Sequence, residues 1–463
     1  MRGRGLSFKA FISLAIFIVT LYLMIKRPKG ISLGLAAGIG ATASLIFGTI
    51  SLSDAIDAFY DIWDAALAFI GIVTLSVTLD AMGFFKWAAV KVAKLAGGSG
   101  LKLYFYIALL TACVSILFAN DSAVLILTPI VIEIISQLKI DERGRLAYLF
   151  SAGLIADTAA MPLITSNPIN IVSADFFKYS FIDHLLFMGP VALVTIVTSL
   201  IIVYLFFRKR VPKSYPLNLV EALDTGHIIP RNLLMLAIAT LAAIDVGYVF
   251  ASLHRIPVSL VICSGAIFLL VVYIISLEEH LFVEERKGLK SIARDINWDI
   301  ILFMLSIFLV VQGLRHVGAV DFIAYLFMEA LKLPSVLSSI ALSFIVTVGA
   351  SFMNNWPMTI LGLISIEHII INNSNNMDSK HITNLIFSNI IGNNLGPHFF
   401  PLGSLAILMW LETMRRKGMK IKLIDYLRVG SVVSIFEVVV ASIILWIEID
   451  IFHMQLTLPS PSI

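Results

Sequence analysis

Apolar runs of near membrane-crossing length recur along almost the whole chain, and several are interrupted at mid-length by asparagine, aspartate or proline. Phe11 to Ile25, Leu185 to Phe207, Leu233 to Phe250 and Ser431 to Ile447 each approach the ~20 apolar residues needed to cross a bilayer core. Of the 463 residues 59% are hydrophobic and only 14% charged, whereas an ordinary soluble domain carries about 25% charged residues. A water-soluble enzyme of this make-up has nowhere to hide its apolar surface. The fold class expected is therefore an all-α polytopic membrane protein.

The net charge of +3 is too small to suggest nucleic acid as a partner, and no basic run carries the interleaved aromatics of single-strand binding. Cys113 and Cys263, both inside apolar segments, supply neither a disulfide framework nor a zinc site, and no cofactor is expected. The first apolar stretch is followed by Lys26, Arg27, Pro28 and Lys29 rather than a small-residue cleavage site, so it reads as a retained helix.

Hydropathy and punctuation predict helices over 8–25, 31–49, 57–80, 84–96, 103–118, 121–137, 144–157, 163–177 and 183–207. Past a basic linker they predict 231–250, 257–276, 297–316, 319–331, 335–352, 355–371, 381–393, 402–414 and 425–447. The order of lengths repeats, dividing the chain into an N-terminal repeat (1–207), a cytoplasmic linker (208–230) and a C-terminal repeat (231–463). Letters repeat too. Phe118-Ala119-Asn120-Asp121 parallels Phe352-Met353-Asn354-Asn355 at an offset of 234, and Ala156-Asp157-Thr158 parallels Gly392-Asn393-Asn394 at 236, with Pro162 and Pro397 following.

Polar side chains at mid-membrane are tolerated where they face protein or a wet cavity. Half-helices of about 15 residues rise only ~22 Å, less than the bilayer core, so the stretch around Asn120 and Asp121 reads as a re-entrant hairpin, matched by a second from Pro334 to Ile371. With helices 84–96 and 319–331 lying on the surface, each half crosses five times. An odd number inverts the second half, which is the inverted-repeat plan of secondary transporters, whose substrates bind at the midplane where broken helices meet. Eight of the 33 Lys and Arg then fall on the side of the N-terminus and 25 on the other. The richer side should be the cytoplasm, with both termini extracytoplasmic in the inner membrane.

At the break points exposed N–H groups attract lone pairs or anions. Capping alone does not explain why the same letters recur in both halves. Asn120, Thr158, Ser166, Asn167 and Asn170 in one half, and Asn354, Asn355, Asn393, Asn394 and Ser404 in the other, form the candidate binding set. Pro162, Pro168, Pro397 and Pro401 should break helices and free backbone groups. Such a set suits a neutral polyhydroxyl solute or a partly dehydrated ion. Only Asp121 and Asp157 bring carboxylates there, and they are the proton-carrier candidates. Glu133, Asp245 and Glu437 sit within apolar helices, as fit to pack or snorkel as to line a pathway. Gly34 and Gly38 form a pair suited to close helix packing. No ATPase motif is present.

Phe118 to Ile132, Ala156-Asp157-Thr158-Ala159-Ala160-Met161-Pro162 with Ser166-Asn167 and Asn170, Met353-Asn354-Asn355, and Leu395-Gly396-Pro397 leading into Pro401 to Ala406 together resemble the arsenite efflux pumps of the ArsB type, in the ion transporter superfamily. The resemblance implies export of trivalent arsenite or antimonite hydroxide in exchange for protons, and in some relatives a soluble cytoplasmic ATPase of the ArsA type as partner. Where the family pattern has an Asp before Leu-Gly-Pro and a Lys after it, this chain has Asn394 and His398. Arsenite near neutral pH is an uncharged trihydroxide, to which amides both donate and accept; coordination by three thiolates is impossible with two cysteines. The alternatives are a sodium/proton antiporter or dicarboxylate carrier of the same superfamily. A membrane-embedded enzyme would need a nucleophile with its base, or a metal cluster, and neither is visible.

Overall fold

The computed structural model describes residues 8–216, 218–219, 228–254, 256–278, 287–373, 377–419 and 421–458. Arg2, Arg4, Arg255, Arg286 and Lys420, which entered the orientation count, and linker positions 217 and 220–227 lie outside the described residues. In the first half run α1 (Phe8–Lys26), α2 (Leu33–Ile46), α3 (Leu52–Met82), α4 (Phe84–Leu95), α5 (Gly100–Phe118), α6 (Asn120–Gln137), α7 (Glu142–Thr158), α8 (Pro168–Phe177) and α9 (Phe181–Phe207). In the second run α10 (Arg231–His254), α11 (Val258–Glu278), a short α12 (Leu289–Asp295), α13 (Trp298–Gln312), α14 (Ala319–Leu331), α15 (Ser335–Met353), α16 (Asn355–Asn372), α17 (Ser379–Phe399), α18 (Leu405–Arg416) and α19 (Leu423–Trp446). Among the described residues ten helical segments are long and apolar enough to cross a membrane. Phe11, Ile18, Val246, Phe250, Ile267 and Phe268 stand exposed on α1, α10 and α11, as a lipid-facing surface allows.

Small residues and caps seat the helices. Gly34 N–H donates to Asp299 Oδ2 at 3.0 Å, and Ser32 Oγ donates to the other oxygen of the same carboxylate, so Asp299 on α13 satisfies the start of α2. A side chain at Gly34 would run into Asp299, which is the packing role expected there. Cys113 is exposed and Cys263 donates its thiol to the Leu67 carbonyl at 3.4 Å; neither lies among the break-point residues.

Helices α5 and α6 have 19 and 18 residues, about 28 Å each at 1.5 Å per residue, longer than the halves expected from the sequence. Their length therefore does not stop them crossing. The tip decides: Ala119 turns the chain at φ 65°, ψ 153°, α6 folds back on α5, and Asn120 is buried against Asp157 at the inner end of α7. The second hairpin, α15 with α16, turns at Asn354 with φ 79°, ψ 151°. Helices α4 and α14, of 12 and 13 residues, are too short to cross at 1.5 Å per residue. Each packs one face along its hairpin, with Phe85 of α4 edge-on to Phe118 at 5.3 Å, and leaves the other outward, with Phe322 and Tyr325 of α14 exposed, as expected of a helix lying on the surface.

The hairpins enter from opposite ends. The base of α5 is bonded to the segment after α9, through Gly100 N–H to Lys213 O and Tyr215 N–H to Gly98 O. At the other end of α9, Phe187 stacks on Phe387 of α17 at 4.4 Å, while the start of α17 is bonded to the start of α15 through Ser339 and Asn384 at 2.9 Å. Structural equivalence also corrects the registers read from letters. The hairpins superpose in sequence at 235, since α5 and α15 start at 100 and 335 and α6 and α16 at 120 and 355. Asn354 therefore matches Ala119, and Asn120 matches Asn355. Helices α7 and α17 start at 142 and 379, both capped by an aspartate, an offset of 237 that matches Asp157 with Asn394. A side-chain alphabet this small cannot fix a register to one residue; the turn conformation can.

Candidate functional site

After α7 stops at Thr158, a 3-10 turn at Ile164–Ser166 leads into α8; α17 is followed by a 3-10 turn at Pro401–Gly403 leading into α18. Of the prolines expected to break helices, Pro162 lies in the irregular stretch, whereas Pro168 and Pro401 open helical turns at their first position, where the missing N–H costs nothing. Pro397 stays inside α17, which runs on to Phe399 rather than ending at 393. Asn167 and Ser404 cap α8 and α18, accepting from Ile169 N at 3.2 Å and Ile407 N at 3.4 Å.

The two breaks interlock. Asp157 Oδ1 accepts from Asn120 Nδ2 at 2.6 Å and from Ser404 Oγ at 3.4 Å. Asn394, its equivalent, accepts from Asn167 Nδ2 at 2.9 Å and donates to Asn170 Oδ1 at 3.0 Å. The contacts of Asp157 with Ser404 and of Asn394 with Asn167 are thus one contact made twice, once from each half. Asn354 Nδ2 donates to Leu402 O at 3.2 Å and its Oδ1 caps Trp356 N at 3.2 Å. Asn120 and Asn354 are both buried, and through Asp157 with Ser404 and through Leu402 both reach the same short segment.

The expected residues divide by how their hydrogen-bonding capacity is used. Ser166 bonds Ile116 O at 2.7 Å and Leu163 N at 3.3 Å, and Asn170 donates to Ala160 O at 2.9 Å and Leu163 O at 3.1 Å. With Asn167 and Asn394 these act as braces. Asn355 Oδ1, Asn393 Oδ1 and Asp157 Oδ2 are buried with no protein partner, so they keep capacity for a solute. Asp121 is buried in the first turn of α6, within electrostatic reach of Asp157.

Glu437 and His398 correct the picture of a charge-poor cluster. Glu437 Oε1 accepts from Thr158 Oγ1 at 2.6 Å and its Oε2 lies 2.7 Å from His398 Nδ1. Both residues are fully buried, and His398 Nε2 stands 4.0 Å from Asp157 Oδ2. Glu437 lies mid-way along an apolar helix, where nothing in the sequence shows what it faces. Asn389 was also missed; it accepts from Asn393 Nδ2 at 3.0 Å and donates to Thr359 O at 3.5 Å. Its place one turn before Asn393 was the available signal. Glu133, by contrast, pairs with Lys86 at 3.6 Å, both half exposed.

A cavity of about 400 Å³ reaches the second tip, with Asn354, Leu402, Arg27, Glu412, Arg415 and Arg416 in its lining. Those arginines fall on the side richer in Lys and Arg. Among the described residues no cluster of His, Cys, Asp and Glu has the composition of a metal centre.

Residues 12–449 match the family model described as arsenical pump membrane protein. The chain is 35% identical over 425 residues to an arsenical pump membrane protein of Escherichia coli, covering 91% of this chain and 95% of that one. It is 34% identical over 421 residues to one of Yersinia enterocolitica, with the same coverage. Among solved structures it is similar to the YdaH transporter of Alcanivorax borkumensis, with a TM-score of 0.57, 13% identity and coverage of 96% and 99%.

Proposed function

The chain belongs to the arsenical pump membrane protein family, and on that premise we propose that it is a secondary transporter of the inner membrane that exports arsenite hydroxide, and antimonite hydroxide with it, in exchange for protons. In this reading residues 1–207 and 231–463 are inverted repeats around one midplane site, and both termini are extracytoplasmic.

The observation that carries the reading is the interlock of the two breaks: a buried set of amides, hydroxyls and a carboxylate drawn from both halves, with Asp157 Oδ2 left over. A neutral trihydroxide brings O–H donors, and buried acceptors without a protein partner, such as Asp157 Oδ2 at the interlock, would gain from one. A dicarboxylate would bring only acceptors, to which those oxygens offer nothing. In this orientation the cavity that reaches Asn354, with Arg27, Arg415 and Arg416 in its lining, would open toward the cytoplasm.

Uptake of radiolabelled arsenite into everted vesicles tests this. Uptake should follow an imposed pH gradient and persist without sodium; sodium-dependent uptake indifferent to pH would assign a different coupling ion. In the same assay Asp157→Asn and Asp121→Asn should each lose pH-driven uptake, and if both exchange normally across the pH range, neither carries the proton.

A further inference from the structure

The triad of Glu437, His398 and Asp157 joins three helices, α19, α17 and α7. With Glu437 as a carboxylate, which offers only lone pairs, the 2.7 Å contact of its Oε2 with His398 Nδ1 requires the hydrogen on Nδ1. The second nitrogen, Nε2, is then the one left for Asp157. Nε2 and Asp157 Oδ2 face each other at 4.0 Å, and both are buried without a hydrogen bond of ordinary geometry. Two buried polar atoms side by side without a protein partner, one able to release a proton and the other to take it, call for an explanation.

We infer that His398 is the second seat of the coupling proton, shared with Asp157, and that Glu437 is the positioning residue that holds the imidazole for it. This rests on Asp157 carrying the proton, as proposed above. The balance is simple. Once Oδ2 and Nε2 close from 4.0 Å to hydrogen-bond distance, a neutral Asp157 gives its Oδ2 proton to the Nε2 lone pair, the O–H bond breaks as the N–H bond forms, and a carboxylate faces an imidazolium. The pair holds one proton in either form. Loss of that proton leaves two buried carboxylates, Asp157 and Glu437, on either side of a neutral ring, a state that burial disfavours.

The other groups around the ring are accounted for. From α7 come Asp157 and the Leu154 carbonyl; from α19 come Glu437 and Tyr426, whose hydroxyl donates to Pro397 O at 3.2 Å. Asp121 senses Asp157 from α6. Thr158 fills the remaining Glu437 oxygen, so Glu437 is fixed from both halves and cannot swing away from the ring.

The test is the pH profile of arsenite uptake in everted vesicles for Glu437→Gln, His398→Gln and Asp157→Asn beside the native protein. Glu437→Gln keeps size and an acceptor oxygen but removes the counter-charge, so half-maximal transport should move to lower pH by about one unit or more. His398→Gln keeps a hydrogen-bonding side chain without a basic nitrogen, so residual transport should lose most of its pH response. A native pH profile in either Gln variant overturns the proposal; should His398→Gln fail to accumulate, Glu437→Gln decides alone. If Asp157→Asn itself retains the native profile, the reading beneath fails instead. If Asp157→Asn loses its pH response while His398→Gln keeps it, only this inference falls.

Discussion

At the first break α7 stops at Thr158 and the chain loops before its 3-10 turn, whereas at the second α17 carries on through Pro397 to Phe399. The matched positions hold an acid, Asp157, in one half and an amide, Asn394, in the other. Asp157 accepts two bonds and keeps an oxygen free; Asn394 is tied to Asn167, Asn170 and the Ile390 carbonyl. The second half also has His398 and Glu437, while the fifteenth residue of α9, where α19 has Glu437, is Thr195, which bonds only its own helix at Val191 O, 2.6 Å. One backbone plan has thus been used twice and its chemistry divided. The acid stands in the first half, the buried histidine and glutamate in the second, and the bracing side chains come from both.

That division can be broken most forcefully at Glu437. Glu437→Ala strips the acceptor from both Thr158 and His398, and breaking a buried charged pair costs about 3–5 kcal/mol, whereas Thr195→Ala should cost about 1 kcal/mol. Thermal unfolding of the detergent-solubilised protein measures both; equal losses would mean that the two halves are not divided as described.

A smaller contrast comes from swapping acid and amide. Asp157→Asn keeps an Oδ1 to accept from Asn120 and Ser404, so folded yield should stay near native while proton-driven transport is lost. Asn394→Asp turns a donor into an acceptor facing Asn170 Oδ1 and Ile390 O, and should cost about 1–3 kcal/mol, seen as reduced folded yield by size-exclusion chromatography. If Asp157→Asn destabilises as much as Asn394→Asp, Asp157 is a brace and not a carrier.

The smallest effect lies at the tips. Ala119 and Asn354 share a backbone conformation that is essentially reserved for glycine. Ala119→Gly should raise stability by about 1 kcal/mol. Asn354→Gly relieves the same strain but gives up the cap on Trp356 and the bond to Leu402, so its gain should be smaller or absent. Melting temperatures of the two variants sharpen how far the tips are equivalent.

Much of this was legible beforehand. The helix at 319–331 was placed to the residue, and the hairpin helices to within three, because apolar runs bounded by Gly, Pro and Asn leave little freedom in a bilayer. Asn120, Asp157, Asn167 and Asn394 were all named. Their jobs were not: Ser166 and Asn170 turned out to satisfy backbone carbonyls and amides, which depends on where a distant loop passes. For helices 84–96 and 319–331 shortness excluded crossing but said nothing about the hairpin that each packs against.

The sequence by itself determined that the chain lives in lipid, that its plan occurs twice, and that polar residues gather where helices are interrupted, because the cost of burying polar groups acts locally and marks every segment it touches. Only the tertiary structure decided the register of the repeats and the partnership of Glu437 with His398 and Thr158. Those depend on which side chain of one helix meets which of another, across 39 and 279 positions of chain, and no local rule of composition reaches that far.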